Sequence, residues 1–193
     1  NNGLQVLGGY GYCMDFPLQQ YLRDIRIMAI YEGTTGIQSL DLLGRKIPME
    51  NGKALQLLTD QMMATINEAK KYENLTANAD ILSEKMGEIQ KVLTYLMPFA
   101  AKGDYENYLA DATVFMEMAS NIIIGHQWLK MAIVAQKTML NDDKVFETSF
   151  YESKIHTMKF YFKYELPKTK ACLETIMHQD KLTLVDESKE LIF

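Results

Sequence analysis

Residues 55–72 read Leu-Gln-Leu-Leu-Thr-Asp-Gln-Met-Met-Ala-Thr-Ile-Asn-Glu-Ala-Lys-Lys-Tyr, and this stretch decides the predicted fold class. Its apolar side chains recur every three or four residues, at Leu55, Leu58, Met62, Ile66, Ala69 and Tyr72. Residues at that spacing lie on one face of an α-helix, whereas a half-buried strand alternates at every second residue. The stretch therefore predicts an amphipathic helix that ends near Glu73.

Apolar stripes of the same spacing follow, over residues 80–103, 105–140, 146–164 and 170–178. Asn78 or Asp80 offers a cap for the first of these helices, and Pro167 stops the third. Only residues 181–185 show a weak strand-like alternation. Consecutive helices joined by short connections predict an all-α chain packed as an up-down bundle.

Composition excludes several classes of protein. The chain has 193 residues, 48% of them apolar, which is enough for a real core. Its formal net charge of −5 argues against a nucleic-acid partner. No apolar run approaches the roughly 18 residues that predict a membrane span. The cysteines, Cys13 and Cys172, do not have the spacing of metal ligands, so two reduced thiols, buried or half-buried, are predicted. No signal peptide is apparent, and we therefore expect a cytoplasmic location.

Glycine is concentrated at the start of the chain. Seven of the eleven glycines precede residue 50, and glycine is needed where the backbone takes positive φ or closely approaches a ligand. We therefore expect two parts, residues 1–50 with the special backbone geometry and residues 51–193 with helical packing. Because the chain opens on Asn-Asn-Gly directly before a glycine cluster, it is interpreted as a fragment of a longer protein.

The chemistry-bearing residues lie in that first part. Residues 30–38 read Ile-Tyr-Glu-Gly-Thr-Thr-Gly-Ile-Gln, which predicts a turn that presents the Glu32 carboxylate between two helices. Alone, Glu32 is more often a solvated loop acid than a general base. Gly8-Gly9 would alone indicate a tight turn. His126 lies in an apolar run, which predicts a satisfied core or interface histidine. Arg23, Asp24 and Arg26 are expected to form structural ion pairs.

Taken together, these segments resemble the acyl-CoA dehydrogenases. The matching residues occur in the family's order and spacing: Gln5-Val6-Leu7-Gly8-Gly9-Tyr10-Gly11-Tyr12, Asp15-Phe16-Pro17, Arg23-Asp24-Ile25-Arg26, Ile30-Tyr31-Glu32-Gly33-Thr34 and Ile37-Gln38. The resemblance implies that residues 1–50 are the end of the family's C-terminal helical domain. Residues 51–193 resemble, by position and helical pattern, the extra helical domain of a bacterial subgroup related to methylthiopropanoyl-CoA dehydrogenase.

The resemblance also implies a reaction and a role for each residue. Glu32 would be the catalytic base that takes the α-proton of an acyl-CoA thioester, while FAD accepts the β-hydride and trans-2-enoyl-CoA forms. Tyr31 and Gly33 would bind the substrate. The residues implied to contact FAD are Gln5, Gly8, Gly9, Thr34, Thr35 and Gly36. The first three would contact the ADP half of a FAD that a neighbouring subunit binds, and the last three the flavin of their own subunit.

The implied partners are acyl-CoA, an electron-transferring flavoprotein and further copies of the chain, as a homodimer or homotetramer in fatty acid metabolism. The fragment alone is expected to be inactive and to bind FAD poorly. Three alternatives remain open at this stage: a non-catalytic flavoprotein relative, a helical oligomerisation or binding module, and an acyl-CoA oxidase.

Overall fold

A computed structural model describes residues 1–184 of the protein, and the regular secondary structure of this part is helical. The α-helices are α1 (Asn2–Val6), α2 (Leu18–Arg26), α3 (Thr35–Asp41), α4 (Met49–Ala69), α5 (Glu73–Ala101), α6 (Tyr105–Leu109), α7 (Ala112–Asn141), α8 (Thr148–Tyr164) and α9 (Thr169–Met177). The predicted all-α class is confirmed. Residues 181–184 form turns and no strand, and Val185 lies outside the described residues.

The chain divides into two compact units, residues 1–39 and residues 40–193. The first unit contains α1, α2, the start of α3 and 3-10 turns at Gly8–Tyr12 and Ile27–Ala29. Only Gly11 and Ser39 are buried within it, and large apolar side chains such as Tyr12, at 90% exposure, face outward. This unit has special turns but no apolar core.

The core of the described chain lies in the second unit. Helix α7 packs against α4, α5, α8 and α9, so it is the central helix of the bundle. Phe115, Met118, Ile122 and Leu129 on α7 are each exposed by no more than 1%. Three residues separate α4 from α5, which favours the antiparallel pairing predicted for an up-down bundle.

Helix α5 begins earlier than its sequence pattern predicts. The expected start at Asn78 or Asp80 is wrong, because both residues lie inside a helix that opens at Glu73 after an extended Tyr72. Leu75 is fully buried, which extends the packed face upstream of the candidate caps. The Asp80 carboxylate pairs instead with Lys70 at 2.7 Å.

The stripe over residues 105–140 is two helices, where one was predicted. Asp104 caps α6 by accepting a hydrogen bond from the Asn107 amide at 3.2 Å, and α7 starts afresh after Asp111. The Asp111 carboxylate pairs with the Lys181 ammonium at 2.7 Å, and both side chains are nearly buried. Because Asp111 binds a residue 70 positions away, its helix boundary could not be read from local sequence.

The burial predicted for the cysteines and histidines is only partly confirmed. Both cysteines are free, and Cys172 is buried as predicted, but Cys13 is exposed because its unit has no core to bury it. His126 is buried as predicted, at 1% exposure, but it is not fully satisfied, because its Nδ1 has no hydrogen-bond partner in the described structure. His156 and His178 are exposed.

Across residues 1–184, no helix combines the length and apolar character needed to cross a bilayer.

Candidate active-site segment

Glu32 lies on a left-handed turn between α2 and α3. Its φ is 55° and that of Gly33 is 100°. The Gln38 side chain donates a hydrogen bond from Nε2 to the Glu32 carbonyl oxygen at 2.5 Å. Positive φ is uncommon for a glutamate because the side chain crowds the backbone. The turn presents the Glu32 side chain at the surface, as the sequence predicts.

Gly33 is required at its position for two independent reasons. Its φ lies in the region that side chains rarely adopt, and a Cβ placed there would lie 3.0 Å from Ile37 Cγ2. An alanine would therefore both strain the backbone and force the Ile37 side chain to shift. The conformation of the Glu32 turn consequently depends on Gly33.

Thr34, Thr35 and Gly36 form the entry to α3. The Gln38 amide donates to the Thr34 carbonyl oxygen at 3.0 Å, and the Ser39 hydroxyl donates to the Gly36 carbonyl oxygen at 2.7 Å. Thr34, Thr35 and Gly36 are exposed, and a Cβ at Gly36 would meet no atom within 4 Å. Two hydroxyls and an open backbone therefore adjoin the Glu32 carboxylate along the chain.

Tyr31 precedes the acid and is partly exposed, at 44%. Its backbone amide donates to the Ile27 carbonyl oxygen at 3.1 Å. Its hydroxyl donates to the Met28 sulfur, also at 3.1 Å. The ring is held close to the preceding 3-10 turn and leaves the surface of the Glu32 turn accessible.

The glycine cluster lies on a separate segment of the same unit. Gln5 is at the end of α1, Gly8 has a φ of 57°, and a Cβ at Gly8 or Gly9 would meet no atom within 4 Å. Such exposed backbone can donate N–H groups to a phosphate or an adenine edge, so these residues fit the polar end of a dinucleotide. In the described chain no hydrogen bond links Gln5, Gly8 or Gly9 to Tyr31–Gly36.

No role was predicted for Gln38 from the sequence, although in the structure its side chain stabilises the Glu32 turn by donating to the Glu32 carbonyl oxygen. One sequence signal could have indicated this role: Gln38 is a polar residue in the first turn of the helix that follows the Glu-Gly pair. The expected ion pairs at Arg23 and Asp24 are wrong for this structure, because both side chains hydrogen-bond to Gln20. Residues 1–184 contain no group of three His, Cys, Asp or Glu side chains that could hold a metal ion.

Comparison with protein families covers both parts of the chain. Residues 1–47 match the model described as acyl-CoA dehydrogenase, C-terminal domain. Residues 58–185 match the model described as acetyl-CoA dehydrogenase C-terminal like. An all-α chain with these two matches belongs to the acyl-CoA dehydrogenase family, as the sequence motifs predicted.

Individual relatives support the same family. The chain is 30% identical over 181 residues to the broad-specificity linear acyl-CoA dehydrogenase FadE5 of Mycobacterium tuberculosis, which covers 90% of this chain and 30% of that protein. It is 29% identical over 163 residues to 3-methylmercaptopropionyl-CoA dehydrogenase of Ruegeria pomeroyi, covering 82% of this chain and 26% of that protein.

A shorter match supports the same family. The chain is 48% identical over 44 residues to the mitochondrial short-chain specific acyl-CoA dehydrogenase of Rattus norvegicus, covering 23% of this chain and 11% of that protein. The chain thus spans less than a third of the length of each of these three relatives.

Proposed function

We propose that this chain supplies the catalytic base to a flavin-dependent acyl-CoA dehydrogenase that converts an acyl-CoA into trans-2-enoyl-CoA. Residues 1–50 would be the end of the family's C-terminal domain and residues 51–193 an additional helical domain. The family matches to residues 1–47 and 58–185 support this division. The observation that carries the proposal is the Glu32–Gly33 turn, whose positive φ values hold an accessible carboxylate in an uncommon conformation.

Each residue of the segment has a defined part in the proposed reaction. The Glu32 carboxylate takes the proton from the α-carbon of the thioester. The Glu32 backbone N–H donates to the thioester carbonyl, which stabilises the negative charge that develops on that oxygen. Gly33 allows the thioester to approach the backbone, and Tyr31 lines the acyl chain.

FAD, when bound, supplies the chemistry that accepts the β-hydride. Thr34, Thr35 and Gly36 would bind the flavin of their own subunit, and their hydroxyls and open backbone fit polar flavin atoms. Gln5, Gly8 and Gly9 would bind the adenosine diphosphate half of a neighbouring subunit's FAD, in a homodimer or homotetramer. Electrons would leave to an electron-transferring flavoprotein. Alone, the chain is proposed to be inactive.

A Glu32→Gln substitution tests the base assignment. The amide cannot take the α-proton, so flavin bleaching by an acyl-CoA should slow by about 10²–10⁴-fold. The measurement is anaerobic flavin absorbance, with the chain joined to the flavin-binding domains of a longer family member. Glu50→Gln is the matched control, since Glu50 is also an exposed glutamate with positive φ, at 49°. Bleaching that survives in Glu32→Gln at the control's rate would refute the assignment.

A further inference from the structure

The second unit contains an apolar cavity between α4, α5 and α7. Its volume is about 360 Å³, and it lies wholly within residues 42–123. Most of the wall is aliphatic or aromatic, with Leu58, Met62, Met86, Leu93 and Phe115 among the lining residues, and none of the lining side chains is charged. Small-molecule sites are typically apolar hollows of about 300–1,000 Å³, so this cavity has the size and lining of a ligand site.

Gly87 lies on the exposed part of the cavity wall. It lines the cavity in the middle of α5, where glycine is less stable than alanine. The packed glycines Gly44 and Gly125 each have a leucine atom 3.4 Å from the position a Cβ would take, whereas a Cβ at Gly87 would meet no atom within 4 Å. Gly87 therefore leaves open space at the exposed side of the cavity, which a larger side chain would fill.

The shape of the hollow favours a long, thin guest. A neighbouring hollow of about 370 Å³ shares Ile47, Leu55, Gln90 and Leu93 with the cavity and continues to Met97. The exposed lining residues Met63, Gly87, Gln90 and Ser120 mark an opening to solvent. Methionine side chains adapt to irregular apolar guests, and the amide and hydroxyl at the opening can hydrogen-bond to a polar end group.

We propose that this cavity binds an unbranched hydrocarbon chain of roughly ten carbons, with its polar end at the Gln90–Ser120 opening. The length follows from scale, because an apolar cavity of about 150 Å³ holds a benzene molecule. An uncharged wall cannot accommodate an ionised group inside, so the carboxylate or thioester of an acyl chain would stay at the opening. This site does not depend on the role of Glu32.

Binding of straight-chain alcohols to the 193-residue chain tests the proposal. Isothermal titration calorimetry with 1-hexanol, 1-octanol and 1-decanol should show saturable binding. The affinity should rise about fourfold for each added methylene, because each buries more apolar surface. Beyond roughly ten carbons the increase should stop, since the cavity is then full. No saturable binding of 1-octanol or 1-decanol would overturn the proposal.

A matched pair of leucine substitutions on α5 identifies the site. Gly87→Leu should weaken 1-octanol binding by about tenfold or more, while Ala77→Leu, on an exposed part of the same helix, should leave it unchanged. Ser120→Leu obstructs the opening from α7 and should act like Gly87→Leu, so the test survives if one variant misfolds. Equal binding in all three well-folded variants would contradict the proposal.

Gel filtration of the same variants tests a different occupant. If the chain does not bind the alcohols but forms a dimer that Gly87→Leu dissociates, the cavity accommodates a second copy of the chain. That outcome would overturn the proposal. None of these measurements requires flavin or turnover, so they remain informative even if Glu32 is not the base.

Discussion

His126 lies buried at the contact between α4 and α7. Its Nε2 is 2.8 Å from the Thr65 hydroxyl, which itself donates to the Gln61 carbonyl oxygen at 3.1 Å, so Nε2 carries the proton and donates. Nδ1 is buried without a partner in the described structure. Burial lowers the pKa of His126, and the positive charge of Lys130 lowers it further. The folded chain therefore favours the neutral imidazole more strongly than the unfolded chain does.

This histidine should make the folded chain less stable in acid. Below the ordinary histidine pKa of about 6.5, the unfolded chain binds a proton at this residue more readily than the folded chain does. The free energy of unfolding therefore falls as the pH drops through that value. Urea unfolding at about pH 7.5 and about pH 5.5 should show the loss, and His126→Gln should reduce it. The exposed His156→Gln should retain the full loss. An identical pH dependence in all three proteins would contradict this explanation.

At the residue scale, the sequence predicted environments better than partners. The apolar run around His126 predicted a core histidine, but Thr65 is 61 residues away, and nothing local marks it. The motif at residues 30–38 predicted that Glu32 lies on an exposed turn. The Gln38 side chain that closes this turn was missed, because a glutamine on a helix surface is ordinarily solvated.

Helix α5 carries a charged pair on its buried side. The Lys85 ammonium lies 2.7 Å from Glu88 Oε1, and the two side chains are only 10% and 9% exposed. The other oxygen, Glu88 Oε2, is buried with no hydrogen-bond partner in the described structure. Removing one member of such a pair is more harmful than removing both, since the remaining charge is buried alone.

A Lys85→Met substitution should lower the free energy of unfolding by about 3–5 kcal/mol, and adding Glu88→Leu should restore most of it. The Lys53–Glu50 pair has the same spacing but exposed side chains, at 67% and 68%, so Lys53→Met is the matched control. Its effect should stay within about 0.5 kcal/mol. Chemical denaturation measures all three variants, and equal losses for Lys85→Met and Lys53→Met would disprove the burial argument.

At the element scale, helix existence was predictable, and so were the bounds of α9 and the end of α8, but the boundaries of α5 and α7 were not. The 3.6-residue stripes correctly indicated α4, α5, α8 and α9. The start of α5 was misplaced because Asn78 and Asp80 are favourable cap residues, yet burial of Leu75 extended the helix past them. The break before α7 was missed because Asp111 is paired with Lys181 from the far end of the chain.

At the scale of the whole molecule, the fold class followed from periodicity, but the unequal packing of the two units did not. The sequence predicted special backbone in residues 1–50 and packing after it, but positive φ also occurs later, at Gly52, Gly103 and Asp142. The sequence could not show that the many apolar side chains of residues 1–39 are exposed. The type of a residue does not determine which other residues pack against it. Val6 and Tyr12 are 85% and 90% exposed, whereas Phe115 is 1% exposed.

This contrast predicts a large difference in local stability between the units of the isolated chain. Without a buried apolar core, α1 and α2 should open at little free-energy cost, whereas α7 should open only when the bundle unfolds. In hydrogen–deuterium exchange followed by mass spectrometry, amides of α7 should exchange about a thousandfold or more slowly than those of α2. Comparable protection of α2 and α7 would show that exposed side chains do not set local stability here. The expected result would support the proposal that the base and flavin contacts, all within residues 1–39, act only together with further parts of the enzyme.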